Sequence, residues 1–246
     1  QDVVTEHEIW KRLNYFPVPE EEQKLWQQDI RMNVFGVKVD TALTEGALAI
    51  DSRSVQELTE EAVRLTGLSN PNSPTQLTEW LRIQTGDEIQ NLTKDTVSEL
   101  LQREYPQPVK RMLEIRQQLG KTSVKKYVAM ETAKGTDGRV RGLTQYYGAN
   151  RTGRWAGRLV QMQNLPRNYL STLDYARNLV KAKNYDGIRL LYGNVPDTLS
   201  QLIRTAFIPS EGNKFVVADF SAIEARVIAW LAGEQWVNEV FATHGK

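Results

Sequence analysis

Residues with the spacing to do chemistry crowd one stretch, "KFVVADFSAIEARVIAWLAG" over 214–233. Asp219 closes the apolar run Phe215-Val216-Val217-Ala218, and Ser221, Glu224 and Arg226 follow closely. Two chemistries fit. In the first, Ser221 and Glu224 form a capping box, each satisfying a backbone N–H at a helix start. Ile223, Val227, Trp230 and Leu231 then make that helix's buried stripe. In the second, Asp219 is a Mg²⁺ ligand at the carboxyl end of a buried strand, with the Phe220 backbone carbonyl as a further oxygen donor. The capping box explains Glu224 but not Asp219. A carboxylate ending so apolar a strand must be paired or metal-bound to offset its desolvation.

A second stretch, "RTGRWAGRLVQMQNLP" over 151–166, interleaves Arg151, Arg154 and Arg158 with Gly153 and Gly157. Glycine lets backbone approach a phosphate closely, and guanidinium groups bind phosphate through two parallel hydrogen bonds. The plainer alternative is a basic hairpin with no ligand. The surrounding charge bears on that choice. Residues 101–183 hold 17 Lys/Arg against 5 Asp/Glu, whereas the first hundred residues hold 9 against 18 and the remainder 5 against 7. A net charge of +1 therefore hides one strongly basic segment, as expected of a polyanion-facing surface.

The elements that must position these residues follow from pattern. Two helices flank the "FPVP" break at 16–19, and "FGVKVD" (35–40) is a short extended piece. A long helix runs from about Thr41 to Gly67, with an interruption at Gly46 left open. A helix capped near Ser73 follows, with Pro74 in its first turn, and then two more over 93–133, broken at Pro106 and Pro108. After Gly135 the chain turns to β-formers and glycine, returns to helix over 169–204, and ends with a strand in "NKFVVADF" and a helix over Ser221–Ala232. The fold class expected is a mostly helical α+β protein, a helical arm joined near 130 to a body with a few antiparallel strands.

Composition narrows the classes. There is no cysteine, which excludes disulfides and thiolate metal sites, and only His7 and His244 could serve as imidazole ligands, too few for zinc. The longest apolar run, Val227 to Ala232, is far short of the roughly 20 residues of a membrane span. No membrane partner is expected.

Asp219-Phe220-Ser221-Ala222-Ile223-Glu224-Ala225-Arg226 resembles the first palm motif of family A DNA polymerases, Asp-(Tyr/Phe)-Ser-x-Ile-Glu-x-Arg. "RTGRWAGRLVQMQNLP" is similar to that family's Thr-Gly-Arg block followed by Gln-Asn-(Ile/Leu)-Pro, and "SPTQLTEWL" resembles its thumb segment. The Trp-Ala form of the block points to phage-type members. The resemblance implies a DNA-directed DNA polymerase that transfers nucleotides from dNTP to a primer 3′-OH, with two Mg²⁺ ions and primer–template DNA as partner. It also implies a cytoplasmic setting in a bacterial or phage-infected cell.

Carried over by position, Asp219 would hold metal with the Phe220 carbonyl, and Ser221 and Glu224 would lie beside the nucleotide, Glu224 selecting against a 2′-hydroxyl. Arg151, Thr152, Arg154, Arg158, Gln163 and Asn164 would contact DNA. Residues 1–30 would be the tail of a 3′–5′ exonuclease domain, 31–130 a thumb, and 131–246 a partial palm reaching the start of the fingers at about 234–246. The family's second metal aspartate and its fingers Lys and Tyr have no counterpart, so the chain reads as an internal piece of a longer polymerase, inactive alone. A non-catalytic duplex-binding module is the competing class, and a helical structural protein the third.

Overall fold

A computed structural model describes residues 1–243; the end of the expected fingers segment, and His244 with it, lie outside the described residues. The chain forms two compact units, 1–208 and 209–246. The fold is α+β and mostly helical, as its patterning indicates.

In the first unit, α1 (Asp2–Leu13) and α2 (Glu20–Phe35) are separated by the proline-bearing break. Helix α2 opens on three glutamates, which complement the positive end of its dipole, and stops at Gly36. Strand β1 (Val37–Val39) leads into α3 (Thr41–Thr66), whose Asp40 N-cap accepts the Leu43 N–H and whose C-terminus closes on left-handed Gly67. Helix α4 (Pro74–Thr85) carries the expected Ser73 cap and first-turn proline. Residues 93–133 form three helices rather than two: α5 (Lys94–Leu100), α6 (Gln107–Leu119) and α7 (Lys125–Ala133). Pro108 sits harmlessly in the first turn of α6, where its missing N–H has no intrahelical partner to lose, and the extra break falls at Gly120.

The strands are short. β2 (Arg139–Val140) and β5 (Phe207–Ile208) flank β1 in one antiparallel sheet, while β3 (Thr144–Ala149) and β4 (Arg154–Gly157) form a separate hairpin. Between β4 and β5 lie α8 (Leu173–Lys181), α9 (Tyr185–Tyr192) and α10 (Val195–Leu202).

Helix α3 is the rod of this unit, about 39 Å long at 1.5 Å per residue. Leu43, Ala47 and Ile50 in its first half pack with Tyr127, Met130, Val180, Ile188 and Leu199. Leu58 and Ala62 in its second half enter a different core with Leu77, Leu81, Val97 and Met112. Gly46 does not interrupt the helix. It lets α8 approach, since a Cβ there would stand 2.0 Å from the Val180 carbonyl oxygen.

The second unit corrects the sequence reading. Residues 214–220 form no strand, because a strand exists through its ladder of hydrogen bonds and no strand among the described residues pairs with them. Helices α11 (Ile223–Ala232) and α12 (Gln235–Ala242) follow. The expected stripe is not buried: Ile223, Val227, Trp230 and Leu231 are exposed, and only Ala229 of α11 is covered. Two short helices offer too little facing surface to bury the apolar residues of α11.

Gly46→Ala is expected to lower unfolding stability by about 1–3 kcal/mol through overpacking at the α3–α8 seam. Urea denaturation measures it, and an unshifted midpoint would show that the two backbones are not in contact there.

Candidate nucleic-acid interface and the Asp219 segment

The basic stretch folds as the sequence implies. Thr144 pairs with Gly157 and Ala149 with Arg154, with a bulge between the two registers. Left-handed Gly153 turns the chain at the tip, which carries exposed Arg151 and Thr152. Exposed Arg154 begins β4, and exposed Arg158 follows it, its N–H donating to the Leu143 carbonyl at 2.8 Å. Gln163 and Asn164 lie in a 3₁₀ turn (Met162–Asn164) that doubles back: the Gln163 amide covers Gly157, where a Cβ would meet its Oε1 at 2.2 Å. All six DNA-binding candidates thus sit on one hairpin and its return.

The hairpin and its return are held under strain. Tyr147, Leu159 and Gln161 are all non-glycine residues with φ of 52°, in the left-handed region. Such conformations persist only where surroundings impose them. Between Leu159 and Gln161, fully buried Val160 is the anchor, and Lys126 Nζ donates to its carbonyl at 2.6 Å. Arg204 Nη2 donates to the Leu165 carbonyl at 2.9 Å.

The structure also sorts the basic excess, which a count along the chain could not. Arg103, Arg111, Lys134, Arg141, Arg177 and Lys181 are spent on internal acids. Arg116, Lys125, Arg151, Arg158 and Arg167 form no ion pair among the described residues. Arg116 and Lys125 line a groove of about 970 Å³ with Lys94, Lys121 and Lys126, and Asn164 reaches it from the 3₁₀ turn. Its acid, Asp197, pairs with Lys121. Burial pushes the Asp197 carboxyl up, but hydrogen bonds from Lys121 and Gln201 outweigh that and hold it below the usual carboxylate value. The basic segment 101–183 holds four of the five groove cations, but a charge count does not assemble them: Lys94, Arg116, Lys125 and Lys126 come from α5, α6 and α7, and Lys121 from the loop between α6 and α7.

Sequence reasoning missed Asp29 and Asn33. Asp29 is the one buried residue of α2, and both side chains bond to β3. The available signal was an Asp and an Asn four apart, on one helix face.

Asp219, Phe220, Ser221 and Glu224 belong to the second unit. Asp219 is exposed, which corrects the expectation of a desolvated carboxylate at a strand end. The capping box is not formed. The N-cap of α11 is Ala222, with left-handed φ of 51° and no side-chain cap, and Arg226 Nε instead donates to the Ser221 carbonyl at 2.7 Å. The Arg226 guanidinium also stands 4.3 Å from the Phe241 ring centre. Among the described residues, no group of three or more His, Cys, Asp or Glu side chains could hold a metal ion. The Asp219 carboxylate and the Phe220 carbonyl are two oxygen donors, short of a complete Mg²⁺ site.

The hairpin presents Arg151 and Arg158, without ion pairs among the described residues, beside a cationic groove, with an Asp-Phe-Ser-Ala-Ile-Glu-Ala-Arg segment downstream. The family model for DNA polymerase family A matches residues 46–245, and the chain belongs to that family. It is 57% identical over all 246 of its residues to a DNA polymerase from Bacillus phage SP02, and spans 38% of that relative's length. Among the described residues no helix is long and apolar enough to cross a membrane.

Lys125 and Lys126, neighbours in sequence, are expected to behave differently. Lys125→Ala should flatten the salt dependence of duplex binding by about one unit of log–log slope. Lys126→Ala should lower the melting temperature by freeing the Val160 carbonyl. Fluorescence anisotropy across a salt series and a thermal melt separate the two.

Proposed function

We propose that this chain is the DNA-gripping segment of a DNA-directed DNA polymerase, which transfers nucleotides from dNTP to a primer 3′-OH. The observation that carries the reading is the placement of Arg151, Thr152, Arg154, Arg158, Gln163 and Asn164 on one hairpin and its return, continuous through Asn164 with a groove lined by lysines and Arg116. Arg151 and Arg158, exposed and without ion pairs among the described residues, suit a phosphate chain, and the glycines leave room for close approach. Family membership and the phage relative support the same function. In domain terms, we assign residues 31–130 to the thumb and 131–246 to part of the palm, with 1–30 as the tail of an exonuclease domain.

Asp219 and the Phe220 carbonyl would hold Mg²⁺, which in this family's chemistry lowers the barrier to phosphoryl transfer. The described residues do not complete that site, so the remaining donors would come from outside them. Glu224, in the first turn of α11, would lie against the incoming sugar with Ser221 nearby, placing selection against a 2′-hydroxyl on a helix terminus. A two-metal clamp needs more than one carboxylate, so the chain alone would bind primer–template DNA without extending it.

The test has two arms. The isolated chain should bind a primer–template duplex with a log–log salt slope on the order of −4 to −5, from roughly four to six phosphate contacts. Salt-independent binding, or robust primer extension by the chain alone, would count against the reading. In a polymerase of full length carrying this segment, Asp219→Ala should abolish incorporation at near-normal DNA affinity, and Glu224→Ala should admit ribonucleotides. Wild-type turnover in the first variant would remove Asp219 from the chemistry. An unchanged sugar preference in the second would remove Glu224 from selection.

A further inference from the structure

Among the described residues strand β3 pairs with β4 on one side only, so its other edge presents backbone groups that no described strand satisfies. Side chains of α2 satisfy them. Asn33 Nδ2 donates to the Thr144 carbonyl at 2.8 Å, and Asn33 Oδ1 accepts the Thr144 N–H at 3.1 Å. Those are the two bonds a neighbouring strand's peptide would make. Asp29 Oδ2 accepts the Tyr146 N–H at 3.1 Å and the Asn33 amide at 3.1 Å. The spacing explains why a helix can do this. Residues four apart on a helix rise by about 6 Å, and residues two apart on a strand, whose N–H groups share an edge, by about 6.7 Å.

The other oxygen of Asp29 ties in the rest of the hairpin. Oδ1 accepts the Thr144 hydroxyl at 2.6 Å and the indole N–H of Trp155 at 2.9 Å. Trp155 is on β4, between Arg154 and the glycine that seats Gln163. Its ring meets Tyr146 edge-on at 5.2 Å. A carboxylate has about four acceptor sites and no donor, and here four donors use them. Asp29 is 7% exposed and has no lysine or arginine partner among the described residues, so these donors alone hold its charge in place.

We propose that Asp29 and Asn33 act as a surrogate strand, positioning residues that fix the arginine-bearing hairpin for the phosphates of a nucleic-acid duplex. The inference rests on the nucleic-acid reading above and adds α2 to the binding apparatus. It carries a sign that distinguishes it from simple electrostatics. Removing a negative charge close to DNA should tighten binding, whereas releasing the hairpin should weaken it.

The test uses the intact chain and a duplex primer–template. Asp29→Asn sets an NH₂ against two donors, and is expected to weaken duplex binding about tenfold while the chain still melts cooperatively. Amide exchange at Thr144 and Tyr146 should quicken in Asp29→Asn and in Asn33→Ala. Unchanged or tighter binding by folded Asp29→Asn overturns the positioning role. Should that variant lose cooperative melting, Trp155→Phe decides, because it removes one N–H and keeps a ring. A loss of about threefold is expected, and unchanged affinity overturns the proposal. If the wild-type chain itself fails to bind the duplex, the nucleic-acid reading falls. The clamp is then judged by exchange alone, where undiminished protection at Thr144 and Tyr146 in Asn33→Ala overturns it.

Discussion

The first unit depends on one close contact, the seam where Gly46 of α3 meets the Val180 carbonyl of α8. Helix α3 serves two cores at once, and only if it is continuous can it hold them at a set spacing. A glycine in mid-helix lowers helix propensity by close to 1 kcal/mol relative to alanine. Its retention here is explained by packing: with any larger residue α8 must move outward, and the apolar side chains of α7, α9 and α10 that share this core must move with it.

From that rod the basic surface follows. The groove cations come from α5, α6, α7 and the loop between the last two, elements that pack on or beside α3, while the hairpin is stitched to α2. Position then decides what each charge does. Arg103 and Arg111 are consumed by Asp87 and Glu61, and Arg177 and Lys181 by Asp40. The cations left over lie where a phosphate backbone could run. Lys126 shows a third role, as a donor to the strained return of the hairpin rather than a contact for a ligand.

Strain and satisfaction are balanced within a few residues of one another. Tyr147, Leu159 and Gln161 are held in left-handed backbone while Val160 is anchored at zero exposure. Opposite them, a buried carboxylate finds four donors and a free strand edge finds two side chains. A hairpin this short is marginal by itself, and its definition comes from these attachments.

Local sequence by itself determined much here: the caps at Asp40 and Ser73, the glycine stop at Gly67, and the α+β class with its arginine hairpin. Those features depend on neighbours three or four residues away, and the motif at 219–226 is likewise contiguous. Tertiary structure decided the rest. Whether 214–220 is a strand depends on a pairing partner, and whether Ile223 or Trp230 is buried depends on what faces α11. Whether Arg111 is free depends on Glu61, fifty residues distant. Asp29 resembles a surface acid on an ordinary charged helix until the edge of β3 is laid against it, because a buried carboxylate is recognised by its donors, and three of its four come from 115 to 126 residues further along the chain.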